Sequence, residues 1–262
     1  APTARPDAFG AADKRYSLGH TGGSVASIVW GRHPQEAYDN PYEYEAQEQF
    51  LREATALLDD LNIRLDRHTM EFHKNDVSLA KATWMLALDL VDSLLECAKL
   101  LGEKRHRAAA RLFRDSVETI DLLRVLNSNT PRSAKALEQW YRNESIPHRE
   151  SRKYLEETEG PEAAKRRRDF YDELSKFTHR TYRALADSYS LGQGDMMVHD
   201  SHSMSVLVLP QTIAAYLAVL ADLIQQAAGC LSEVGALPEQ EVTYAWLTSL
   251  ETHTVPRRFA MN

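Results

Sequence analysis

Apolar residues along this chain recur at spacings of three and four in segment after segment, the period of a buried helical face. Phe50, Ala54, Leu57, Leu58, Leu61 and Leu65 form the first stripe. It follows Asn40-Pro41-Tyr42-Glu43, where Asn40 can cap, Pro41 suits a first helical position and Glu43 stands at capping-box spacing. This predicts a helix reaching about His73. A second helix, opened by Asp76 and closed by Gly102, is apolar on most faces and belongs at the centre of a bundle. A third, Lys104 to Leu126, buries Leu112, Val117, Ile120 and Leu123. The run Asn127-Ser128-Asn129-Thr130-Pro131 breaks it and caps a fourth helix through Ala134, Leu137 and Trp140.

Pro147 and Gly160-Pro161 bound a short charged helix, and Pro161 starts a long one that carries His179. Ser190 to Ser205 read as a polar loop. Helical periodicity returns from about Val206 to Val234, with Pro210 near its start, and again from Pro238 to about Thr252. Strand character is confined to Val206–Leu209, too short to found a sheet. The first forty residues are rich in Gly, Pro and Ala and have no period. The predicted architecture is all-α: an extended arm over 1–40 and a single bundle of six to eight helices over 41–262.

Composition narrows the class. At 43% hydrophobic and 26% charged residues, the balance is that of a soluble globular protein. Leu79–Leu101 and Val206–Ala228 are apolar enough to raise the question of a membrane. They carry Asp89, Asp92, Glu96 and Asp222, each costing roughly 2.5–3.5 kcal/mol at mid-bilayer depth, so both read as core helices with no membrane partner. Cys97 and Cys230 lie in apolar helical contexts without CxxC spacing, and the N-terminal residues lack a secretory apolar region. Both point to a reduced, cytoplasmic protein. The net charge of −7 excludes a general nucleic-acid coat, but residues 131–183 carry 13 Lys/Arg against 10 Asp/Glu. A polyanion is expected there if anywhere.

Candidate chemistry concentrates in Tyr171–Arg183, YDELSKFTHRTYR, where Asp172, Ser175 and His179 share one helical face. Three residues on one helix cannot present a nucleophile on a strained turn, so they are no hydrolase triad. They serve either packing or the binding of an anion by His179 with Arg180 or Arg183. His199-Asp200 is similar to the HD pair of metal-dependent phosphohydrolases, with His179 and Asp222 as the further ligands of an alternative metal site. The flanking MMVHDSHS is polar where that family continues an apolar helix. Arg111, Arg114, Glu118 and Asp121 make a charged stripe on the third helix. Asp89, Asp92 and Glu96 make an acidic one on the second, for which Arg111 or Arg114 are the natural partners. Lys165, Arg166, Arg167 and Arg168 sit in the first turns of their helix, where the dipole disfavours cations, a placement that suits phosphate or RNA. Arg-x4–6-His pairs occur at Arg15–His20, Arg67–His73 and Arg142–His148, no more than chance yields from 22 Arg and 10 His. No cofactor is expected.

Three motifs in order carry a resemblance: RLFRDSVETIDLLRVL (111–126), QWYRNESIPHRESRKYLEE (139–157) and FYDELSKFTHRTYRAL (170–185). Together they resemble a bacterial family of uncharacterised helical proteins related to the HEPN (higher eukaryotes and prokaryotes nucleotide-binding) superfamily, over about residues 80–230. The resemblance implies a helical bundle, a homodimer, and nucleotide or RNA binding, or a non-catalytic dimerisation module. It directs attention to Arg114, Glu118, Ser175 and His179 as site residues, with Arg149, Arg152 and Lys165–Arg168 meeting phosphate. No Arg stands four to six residues before His179, so the ribonuclease motif of active members is incomplete there.

Overall fold

Helices begin where the chain supplies a cap. The computed structural model describes residues 43–69, 71–179, 182, 189–191, 197–199 and 210–253. Eight helices lie among them: α1 (Glu43–Asp66), α2 (Leu79–Gly102), α3 (His106–Leu126), α4 (Pro131–Tyr141), α5 (His148–Glu159), α6 (Pro161–Thr178), α7 (Pro210–Glu233) and α8 (Glu239–His253). Ser78 caps α2, its Oγ accepting from Lys81 N at 3.2 Å. Asp76 stands two residues earlier and holds that cap through Ser78 N and Oγ. Thr130 and Ser133 form a reciprocal capping box on α4, with Pro131 in its first turn. Gly160 joins α5 to α6 at φ 88°, a conformation open to glycine at no steric cost.

The all-α bundle predicted from the apolar periods is the observed fold. Leu57, Leu61 and Leu65 of α1 pack in one core with Leu90 and Leu94 of α2, Phe113 and Ile120 of α3, and Leu220 and Ile224 of α7. The first apolar segment of the sequence is the core helix α2, and the described part of the second, from Pro210 on, lies in the core helix α7. α8 closes α1 by burying Trp246 and donating Ser249 Oγ to the Glu53 carbonyl at 2.7 Å. α3 is the hub, packing on α2, α4, α7 and the α5–α6 hairpin.

Several boundaries differ from the sequence reading. α1 stops at Asp66, short of His73, where Thr69 Oγ1 takes the Asp66 carbonyl at 2.6 Å. α6 stops at Thr178, and His179 is extended at φ −82°, ψ 147°. The segment read as a polar loop holds a short antiparallel ribbon, β1 (Tyr189–Leu191) on β2 (Met197–His199), pairing Tyr189 with His199 and Leu191 with Met197. The arm 1–40, the Asn40 cap and the Val206–Leu209 segment lie outside the described residues. The acidic stripe of α2 is exposed, not interior. Asp92 accepts from Asn62 Nδ2 at 3.2 Å and Glu96 lies 3.9 Å from Lys99, so neither draws on Arg111 or Arg114.

Both cysteines are fully buried free thiols against α3, Cys97 Sγ donating to the Ala109 carbonyl and Cys230 Sγ to that of Ile120. Burial pushes both thiols up, that of Cys230 to about 12. In the native protein neither thiol should react with a disulfide reagent at pH 8, and both should titrate in denaturant. Native labelling at the rate of a free thiol would contradict this core.

Candidate functional site

α3 turns a charged stripe toward the α5–α6 hairpin: Arg114, Glu118, Asp121 and Arg124, spaced by three and four. Because α6 runs antiparallel to α3, its residues meet the stripe in reverse order. Arg114 pairs near the C-terminal end of α6 and Asp121 near its start.

At Arg114 three helices converge. Its Nε donates to Glu118 Oε1 and to the Tyr171 hydroxyl, both at 2.9 Å, and its Nη1 donates to Thr178 Oγ1 at 3.2 Å. The guanidinium lies over the Tyr171 ring, 5.0 Å from the centroid. Tyr171 donates its proton to Glu118 Oε1 at 2.7 Å. From α5, His148 sets its ring, tilted by 48°, 4.7 Å from that of Tyr171, with Nε2 3.1 Å from the hydroxyl and 3.5 Å from Glu118. Since Tyr171 has spent its one proton on Glu118, the network assigns the hydrogen of this contact to His148 Nε2. In the neutral imidazole, Nδ1 then remains an acceptor.

The cluster is half dry. The side chains of Arg114, Glu118 and His148 are 30%, 32% and 42% exposed. Burial works against the Arg114 charge, but the hydrogen bond to Glu118 and the neighbouring Tyr171 outweigh it and hold this guanidinium above its ordinary range. Burial first, then the Glu118 carboxylate, raises the Tyr171 phenol above 10.

Arg114 and Glu118 are therefore brought together as the motif implied, but Ser175 and His179 do not join them. Ser175 Oγ donates into its own helix, to the Tyr171 carbonyl at 2.8 Å. His179 stands exposed beyond the last turn, because the helix that was to carry it has ended. Tyr171, Thr178 and His148 take the places expected of them. Tyr171 lies one turn before Ser175 on the same face, and His148 is the second member of the Arg142–His148 pair. Arg142 itself pairs with Glu138.

The basic residues divide. Arg149, Arg152, Lys165, Arg166 and Arg168 are exposed. Arg167 does not stand with them: it turns inward and binds Asp121 Oδ1 from Nε (2.8 Å) and Nη2 (2.6 Å), Gln226 Oε1 from Nη1 (2.6 Å) and the Val117 carbonyl (3.1 Å). Of the alternative metal ligands, His199 lies on β2, Asp200 lies outside the described residues and Asp222 lines a cleft against α6. Among the described residues no three His, Cys, Asp or Glu side chains gather to hold a metal ion. Arg180 and Arg183 also lie outside the described residues. No family model, characterised protein or solved structure matches this chain.

Tyr171→Phe tests the cluster. Losing one hydroxyl that both accepts and donates should cost about 1 kcal/mol and lower the melting temperature by about 2–4 °C. The wild-type minus variant difference in tyrosinate absorbance should show one phenol titrating above 10. A group raised in the folded state stabilises below its unfolded pKa, and that contribution disappears as pH rises through the folded value. The stability gap between the two proteins should therefore hold from pH 6 to 9 and close in stronger alkali. A phenol titrating at or below the ordinary value would overturn the network.

Proposed function

We propose that this chain is a HEPN-like nucleotide- or RNA-binding protein whose site opens at the Arg114–Glu118–His148–Tyr171 cluster. The observation that carries this reading is the meeting of a half-exposed guanidinium and imidazole at the head of α5, directly beside exposed Arg149 and Arg152. Arg114 Nη2 has no protein partner among the described residues and is available to a phosphate oxygen. His148 Nδ1 accepts a ribose hydroxyl. Pro147 caps α5 without a side-chain hydrogen bond, so the positive end of that helix adds to the field around His148. Arg149 and Arg152 then follow the backbone, and exposed Lys165, Arg166 and Arg168 extend the basic face along α6.

Fluorescence anisotropy with a labelled single-stranded RNA and with a labelled nucleotide tests the proposal. Arg149→Glu with Arg152→Glu, both at exposed positions, should weaken RNA binding at least about tenfold. It should also flatten the slope of log affinity against log salt by roughly 0.7 for each lost phosphate contact. His148→Ala should weaken both ligands. Affinity and salt slope indistinguishable from wild type in both variants would remove the proposed site.

A further inference from the structure

At the other end of the α5–α6 hairpin a cleft of about 90 Å³ opens between α3, α5, α6 and α7. At about 10–15 Å³ for each water-sized sphere, it has room for roughly six to nine waters, enough for a small metabolite. One side is apolar, formed by Leu155, Ala163 and Phe170. The other holds Arg124 and Arg166, with Gln225 and Gln226 from α7.

Arg124 is the informative group. Its side chain is only 15% exposed, yet among the described residues its one protein acceptor is Glu233 Oε2, reached from Nε at 3.2 Å. A guanidinium offers five N–H donors, and those on the two terminal nitrogens have no protein acceptor among the described residues. The paired terminal nitrogens match the fork of a carboxylate. By contrast, every nitrogen of Arg167 in the same cleft is already engaged, and it orients Gln226 by taking its carbonyl at 2.6 Å. The Gln226 amide nitrogen is thereby left to donate.

The surrounding charge decides which anion fits. Glu159 and Asp222 line the cleft together with Arg124 and Arg166, and Glu233 already pairs with Arg124, so the lining carries both signs of charge rather than a net positive one. A ligand carrying one carboxylate and one ammonium meets complementary charge at both ends. We propose that this cleft binds a small zwitterion of the α-amino-acid class. Its carboxylate sits on Arg124, its ammonium faces Glu159 and its apolar side chain lies against Leu155, Ala163 and Phe170. The site is separate from the Arg114 cluster; Arg166 also stands in the basic face of α6, but the proposal does not rest on the nucleotide reading.

Titration of the full chain by calorimetry and by amide NMR shifts, with L-leucine, 4-methylpentanoate, 3-methylbutylamine and inorganic phosphate, tests this. Leucine should bind saturably, and removal of either charged end should weaken binding about tenfold or more. Arg124→Gln should abolish leucine binding. Glu159→Gln, at an exposed position with no ion pair among the described residues, should leave the fold intact and bring leucine down to the level of 4-methylpentanoate. The proposal fails if leucine gives no saturable shift, if 4-methylpentanoate or phosphate binds the wild type as tightly as leucine, or if Glu159→Gln leaves the preference for leucine unchanged.

Discussion

A buried ion pair seats the α5–α6 hairpin on the bundle. Arg167 and Asp121 are about nine-tenths withdrawn from water, and taking two charges out of solvent costs several kcal/mol for each unless geometry and hydrogen bonds offset it. Here they do: Asp121 Oδ1 accepts from Nε and lies 2.6 Å from Nη2, while Nη1 donates to Gln226 and Nη2 to the Val117 carbonyl. The pair fixes the register of α6 against α3 and α7. Four residues further along α6, one turn, Tyr171 falls between Arg114 and Glu118. The Gly160 turn brings α5 back so that His148 reaches the same hydroxyl.

The parts of this arrangement that were legible in the sequence follow from local rules. The three-and-four spacing of Leu57, Leu61, Leu90, Leu94, Ile120 and Leu220 specifies buried helical faces, and Thr130-Pro131 and Gly160-Pro161 mark where helices start. Arg114 and Glu118 were legible as a pair because one helical turn separates them. What was not legible is relative rotation between helices. The charged stripe of α3 and the acidic stripe of α2 look equivalent as strings, yet the first faces a hairpin and the second faces water. Within Lys165–Arg168, only tertiary packing sends Arg167 inward while its neighbours stay out. His179 was misplaced because Thr178 and Ser175 spend their side chains on backbone carbonyls at the helix end, a competition that periodicity does not register.

The hairpin thus carries two polar openings along one seam. The Arg114 cluster lies toward the N-terminal part of α3 and the Arg124 cleft toward its C-terminal end. Glu118 and Arg124 are separated by about 9 Å of helix at 1.5 Å per residue. The Arg167–Asp121 pair stands between them and braces both: its carboxylate belongs to the stripe of α3, and its guanidinium orients Gln226 at the cleft wall. Loss of that pair would disturb both openings together.

A double-mutant cycle in denaturant unfolding on Asp121→Leu and Arg167→Met tests this claim most directly. Each single change leaves a buried charge without its partner and should cost about 3–5 kcal/mol, whereas the double change removes both charges and should cost far less than the sum. Single losses that add within about 0.5 kcal/mol would mean the two groups act independently, and would contradict the account.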